Sequence, residues 1–224
     1  MPLRSPNPSR LPTPRQGLLM TAAGPGAGLL LAAVSAAGLI LSRRPFSRLR
    51  LFFSLSGLVI GLLLVGTLWS WWRTAQTVPP IHDITTDTAN PPAFVAILPL
   101  RAAAPVPAGY AGETAASAQR AAYPDIVPIV VAKAPGVAFD AALAAARSLG
   151  WTIVATDAAS GRIEATATTS WFGFSDDVVI RVVPAQGGSR IDVRSVSRVG
   201  KGDLGANARR VRAFTAIVAG KASG

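Results

Sequence analysis

The chain has no cysteine and a single histidine, His82, among its 224 residues. Without thiols there is no disulfide framework, no thiol nucleophile and no thiolate metal site, so neither an oxidising nor a reducing compartment is excluded. One imidazole leaves little scope for histidine chemistry: a Ser-His-acid arrangement would have to join His82, beside Asp83, to distant residues such as Ser195 or Ser197. A metal site on His82, Asp83 and Asp87 has no second histidine to support it, and a capping or surface role is the simpler reading. No metal or cofactor is expected. Acids are absent from residues 1–80, which carry eight arginines, whereas residues 81–224 hold 14 basic and 11 acidic side chains. The net charge of +11 therefore resides mostly in the N-terminal third. Nucleic acid is disfavoured as a partner, because no exposed aromatic stacking residues are interleaved with the basic ones.

Between Arg15 and Arg43 there is no charge, and Gly17 to Ser42 is dominated by Leu, Ala, Gly and Val. A second uncharged run, Leu51 to Trp72, ends in Trp69, Trp71 and Trp72, side chains that favour the headgroup region. Both runs reach the roughly 20 residues that cross a bilayer, predicting two transmembrane helices, the first regular from about Gly26 because Pro25 interrupts its start. A cleaved signal peptide fits less well, since the first apolar stretch is too long and a second follows. Gly24, Gly28, Ala32 and Ala36 recur every four residues, and Gly57 and Gly61 form a GxxxG, a spacing that lets helix backbones approach. Arg43, Arg44, Arg48 and Arg50 crowd the connection between the spans, which predicts a cytoplasmic loop and outward-facing ends. The organisation expected is an N-terminal tail at 1–16, a transmembrane hairpin at 17–72, a linker at 73–94 and a folded domain at 95–224.

Residues 73–123 are rich in Pro, Ala and Thr, with one short helix over Glu113 to Ala122, and are expected to wrap the domain surface or move. Beyond Asp125 the pattern predicts an edge strand at Ile126 to Ala132 containing Pro128, and a helix from Pro135 to Leu149 stopped by Gly150. Strands follow at Trp151 to Asp157, Arg162 to Thr169, Asp177 to Val183 and Arg190 to Val199, then a helix over Leu204 to Ala219 capped by Asp203. The order β-α-β-β-β-β-α describes an α+β fold, an antiparallel meander with helices on one face. Alternation assigns Ile163, Ala165, Ala167, Val178, Ile180, Val182, Ile191, Val193, Ser195 and Val199 to that face. Glu164, Thr166, Thr168, Asp177, Val179, Arg181, Asp192, Arg194 and Arg198 fall on the other. This second set reads as a solvated face, or alternatively as a surface for a ligand or partner.

The candidate binding or structural polar cluster is Glu164, Asp176, Asp177, Arg181, Asp192, Arg194, Arg198, Asp203, Asn207 and Arg210. Residues 190–221 hold eight basic side chains and two acids, and Arg198, Lys201, Arg209, Arg210 and Arg212 suit anionic headgroups or phosphate. Pairing of Asp192 or Asp203 with Arg194, Arg198 or Arg210, locking the last strand to the last helix, is the structural reading. An enzyme would use Glu164, Asp176, Asp177, Arg181 and Arg194 on an anionic or glycosidic substrate, which requires at least two of them to converge in one concave pocket. Asp176 and Asp177, if adjacent on a strand, point to opposite faces, which is poor geometry for shared acid–base work; in the turn after Phe174 they would instead be turn and cap acceptors.

Several ordered blocks resemble the bacterial domain-of-unknown-function family 1499. They are Ile81-His82-Asp83-Ile84-Thr85-Thr86-Asp87, Asn90-Pro91-Pro92-Ala93-Phe94, Tyr123-Pro124-Asp125-Ile126, Gly150-Trp151 and Gly161 to Thr168. Trp171 to Val182, Ile191 to Gly200 and Asp203 to Arg210 continue the series, over about residues 81–215. The resemblance implies a domain boundary near residue 80 and a membrane-anchored or exported context, and it implies no catalytic residue. Taken with the spans, it predicts a multi-pass protein of the bacterial inner membrane whose C-terminal domain is periplasmic. The partners expected are the lipid bilayer and an envelope protein or lipid.

Overall fold

A computed structural model describes residues 28–37, 48–169, 173–200 and 202–222. The chain divides into two units, residues 1–77 with 170–173 and residues 78–169 with 174–224.

The first unit contains helix α1, Gly28–Ala37, and helix α2, Arg48–Thr77. Thr67 and Thr74 donate their hydroxyls to Leu63 O and Ser70 O, at 2.7 and 2.9 Å, which lets polar residues sit in an apolar helix without a free donor. The stretch Leu51–Thr74, 24 residues, is long and apolar enough to cross a membrane. It is the one such helix among the described residues. The first expected span is represented by α1, whose ten residues fall short of the roughly 20 required; its remainder, including Gly24 and Pro25, lies outside the described residues. The small-residue spacing does bring the two helices together. A Cβ on Gly61 would stand 2.7 Å from the Ala32 Cβ and 2.8 Å from the Gly28 carbonyl oxygen, so the contact accepts only glycine there.

The second unit is α+β. Its strands are β1 (Asp83–Thr85), β2 (Ile129–Val131), β3 (Thr152–Asp157), β4 (Arg162–Thr168), β5 (Ser175–Ala185) and β6 (Gly188–Ser197), and its helices are α3 (Glu113–Ala122), α4 (Pro135–Ser148) and α5 (Ala206–Ala222). The sheet runs β1-β6-β5-β4-β3, and β2 also pairs with β6. All pairings are antiparallel, with β1 beside Arg194 to Val196 and β2 beside Ser189 to Ile191 on the same edge of β6. From β2 to α5 the predicted order holds. Sequence patterning missed β1, because three residues offer no period to read.

Tight turns fix the register. Gly161, at φ +67°, lies where a Cβ would collide with the Val182 carbonyl, and Gly188 where one would collide with that of Val131. Helix α4 begins with Pro135 at its first turn and ends before Gly150 at φ +74°, the proline-first, glycine-last asymmetry of helix ends. Asp203 caps α5, accepting the Gly205 and Asn207 amides at 2.8 and 2.6 Å. Leu204, expected as the first residue of that helix, instead precedes it, with φ +52° and an exposed side chain; the chain must reverse between cap and first turn.

Helices α4 and α5 cover the face assigned to them. Ala138, Phe139, Ala142, Ala145 and Ala146 of α4 and Ala208, Val211, Phe214 and Val218 of α5 pack on Ile163, Ala165, Val178, Ile180, Ile191 and Val193. Alanines at the interface let α4 lie close, and Phe214 stacks on Trp151 at 5.6 Å.

The opposite face is not solvated. Residues 86–110 lie over it as a strap, with Phe94, Ile97 and Val106 packed on Val179 and Val196 and a 3-10 turn at Pro99–Arg101. Glu164, Asp177, Asp192 and Arg194 are buried beneath. The segment 73–94, expected as a linker, is thus divided: it ends α2, forms β1 and begins the strap. Alternation reports the polarity of a face. It carries no information about a nonperiodic segment whose polar groups satisfy that face.

Candidate functional site

Four arginine and carboxylate clusters hold the strap. Arg194, on β6, donates Nε and Nη2 to Asp83 at 2.9 and 2.7 Å. Its remaining donors reach Pro92 O at 3.2 Å and Ala108 O at 2.8 Å. The rings of Phe94 and Tyr110 lie 5.3 and 5.4 Å from its guanidinium carbon, so a planar cation is enclosed by aromatic faces and matched by a bidentate acid.

Arg101 comes from the strap itself and donates to Asp177 at 2.8 Å and to the carbonyls of Val106 and Ser197 at 3.0 and 3.1 Å. Asp177 also accepts from Arg198 at 2.8 Å and Thr166 at 2.8 Å. Burial alone would raise its carboxyl, but hydrogen bonds from Arg198, Thr166 and Arg101 outweigh burial and hold it below the usual carboxylate range. The same pairing raises Arg198.

Arg181 and Arg190 each bond both Asp87 and Asp192, closing a ring of two cations and two anions. Asp87 lies in the strap and also accepts the Ala89 and Asn90 amides at 3.1 and 2.9 Å. Glu164 accepts the backbone N–H groups of Val95, Ala96 and Ile97, at 3.0, 3.0 and 2.9 Å, and pairs with Arg162 at 3.1 Å. These are the unpaired donors that open the following turn, so a carboxylate is well suited to them.

A second polar group lies on the helix side. Arg210 bonds Asp176 at 2.6 Å, Ser195 at 3.0 Å and Asn207. Asn207 donates to His82 O at 3.0 Å and Ser197 Oγ at 2.8 Å. The ten predicted residues thus divide across the sheet. Glu164, Asp177, Arg181, Asp192, Arg194 and Arg198 face the strap, while on the other side Asp176 faces α5, Asp203 caps it, and Asn207 and Arg210 belong to it. The strand-to-helix lock uses Asp176 with Arg210; Asp192 and Asp203 are turned to other partners by their register and capping position. Arg212 pairs with Asp125 at the surface, and Lys201 lies outside the described residues.

The five residues weighed for catalysis do not share a pocket. Asp176 is on the far side of the sheet from Asp177, Glu164 is occupied by amides, and Arg181 lines a concavity of about 250 Å³ with Arg162, Ser160 and Asn90 that includes none of the other four. Among the described residues no three His, Asp or Glu side chains are grouped to hold a metal. Sequence reasoning missed Asp83, Asp87 and Arg101 as partners. The first two stood in the family-like opening block, whereas Arg101 had no local signal, its partner Asp177 being 76 residues away.

A family model for a protein of unknown function (DUF1499) matches residues 83–218. The chain belongs to the DUF1499 family. The DUF1499 region opens at Asp83, the partner of Arg194, and closes at Val218, in the core row of α5. No curated protein matches the chain.

A larger concave surface of this DUF1499 domain lies at its N-terminal edge. A trough of about 620 Å³ is walled by Pro79 to Asp83, by Pro107, Gly109 and Ala111, and by Thr114, Ala115 and Ala118 of α3. A neighbouring hollow of about 450 Å³ shares His82 and Pro107 with it and adds Pro105, Val106 and Gly200. The ionic clusters set this shape. Arg194 binds Asp83 in one wall and the Ala108 carbonyl in the next, and Gln119 of α3 pairs with both Thr85 backbone groups, Nε2 to O at 2.6 Å and N to Oε1 at 3.0 Å. Tyr110, between these walls, is pushed up to about 12 by burial and by Asp83.

Proposed function

We propose that this is a membrane-anchored envelope protein whose α+β domain binds a protein or lipid partner without catalysing a reaction. Helix α2 is the anchor in this reading, α1 belongs to a first membrane span, and the domain faces the periplasm of a bacterial cell. The observation that carries the proposal is how the polar side chains are used. Every carboxylate and arginine buried under the strap is matched to an internal partner, so this face is spent on holding the fold, and of the three hollows described above the mainly apolar trough has the greatest volume. Pockets of this kind, mainly apolar and between about 300 and 1,000 Å³, are typical of ligand sites.

Two measurements test it. A topology reporter fused after Gly224 is expected to be active outside the cytoplasm, and activity confined to the cytoplasm overturns the orientation. Crosslinking of the full chain in intact cells is expected to capture a protein or lipid partner; repeated capture of neither contradicts the binding role.

A further inference from the structure

We infer that the trough between Pro79–Asp83, Pro107–Ala111 and α3 takes one hydrocarbon chain of a bilayer phospholipid. The inference rests on the reading of α2 as a membrane anchor. Three observations support a chain over a polar small molecule or a peptide. The walls are mainly apolar, with Pro79, Pro80, Ile81, Pro107, Ala111, Ala115 and Ala118; the three prolines have no backbone N–H to offer a peptide strand, and both outward backbone groups of Thr85 on the adjoining edge strand are taken by Gln119. The polar groups at the trough, His82, Asp83 and Thr114, are few, and Asp83 is already bound to Arg194; an occupant that needs several hydrogen bonds would find few. The third is connectivity. Pro79 follows the last residue of α2 by two positions, which holds it within about 7 Å of that helix end along the chain. Trp69 and Trp72, 5.0 Å apart near that end, are side chains of the headgroup level. The chain itself therefore tethers one wall of the trough to the end of the anchor, where bilayer lipid is the abundant apolar ligand.

The walls are also fixed in advance. Arg194 and Gln119 hold all three of them from behind, so an entering chain meets a formed surface and loses little to ordering the protein.

The test uses the full-length protein in nanodiscs of phosphatidylethanolamine and phosphatidylglycerol, with phosphatidylethanolamine bearing a diazirine near the end of one acyl chain as the probe. Mass spectrometry after photolysis is expected to find label on His82, Pro107, Ala115 or Ala118. Labelling there should fall about tenfold in Ala118→Trp and in Gly109→Phe, equivalent to losing burial of roughly two methylene groups. Gly109 lines the trough and has no atom within 4 Å of an added Cβ, so the second variant adds bulk at the trough wall without a clash at Cβ. Val137→Trp, on the exposed side of α4, should label as wild type. Label confined to α2, or unchanged in both filled variants, overturns the inference. So does labelling by a diazirine fatty acid with none by the phospholipid, which makes the occupant a free amphiphile, or capture of a peptide in the trough. Carbonate extraction of cell membranes carrying the full-length protein reads the anchor separately: release of the protein refutes the anchoring, whereas retention with an unlabelled trough refutes only the chain-binding site.

Discussion

Replacing Arg194 by alanine is the perturbation with the most to lose. Its guanidinium is almost fully buried, bonded twice to Asp83 and once each to Pro92 O and Ala108 O. Truncation leaves the buried Asp83 carboxylate without its cation and two carbonyls without that donor. Breaking a buried pair in this way costs about 3–5 kcal/mol, which for a domain of this size lowers Tm by roughly 6–20 °C. Arg194→Lys keeps the charge but not the bidentate geometry or the aromatic stacking, so an intermediate loss is expected. The double variant Asp83→Leu/Arg194→Met removes both charges together and should be more stable than the sum of the two single losses implies, because neither ion is stranded. The assay is thermal unfolding of the full chain in detergent, followed by near-ultraviolet circular dichroism. Arg212→Ala, which breaks an exposed pair with Asp125, is the comparison and should cost no more than about 1 kcal/mol. If Arg194→Ala melts within a degree or two of wild type, the strap is not held by this cluster and the reasoning fails.

Acid should loosen the strap through Asp177. Its folded-state pKa is depressed, so its contribution is present above the ordinary carboxylate value of about 4 and is lost as pH falls through the lower folded value. Denaturant midpoints should therefore drop below about pH 4, and Asp177→Asn should be less stable at neutral pH with a flatter acid limb; an unchanged limb contradicts this. Gly161→Ala should destabilise more than Gly150→Ala, although both have positive φ, since only Gly161 faces a carbonyl within collision distance; equal losses in urea titration would remove that contact from the account. Tyr110→Phe should leave stability nearly unchanged, because the buried hydroxyl has no hydrogen-bond partner among the described residues. The wild-type phenol should ionise only near pH 12, and phenolate absorbance rising near pH 10 for both tyrosines would refute its burial.

Periodic elements were readable in the sequence and nonperiodic ones were not. The four long strands, α3, α4 and the Asp203 cap announce themselves through alternation, helical spacing and punctuation by Pro135, Gly150 and Gly161. Alternation also separated the two faces of the sheet, down to Asp176 and Asp177 pointing opposite ways. The fate of the polar face was not legible. Arg194 and Asp83 are 111 residues apart, and no local pattern couples a charge on a strand to an acid upstream of a proline-rich segment. A row of charges on one face reads as exposed because burial of an unpaired charge is costly, and the pairing that removes this cost is a tertiary property. The trough was invisible for a related reason: its walls are mainly prolines and small residues from three separate segments, brought together by tertiary contacts among which are those of Arg194 and Gln119.

Native-state hydrogen exchange at Val95, Ala96 and Ile97 tests the buried ionic face most directly. Their amides donate to the Glu164 carboxylate under the strap, so they should exchange on the slow scale of the β5–β6 amides and speed up in Arg194→Ala. Exchange at the rate of an unprotected loop in the wild-type protein would mean that the strap does not cover the sheet, and the polar face would again be open to a ligand.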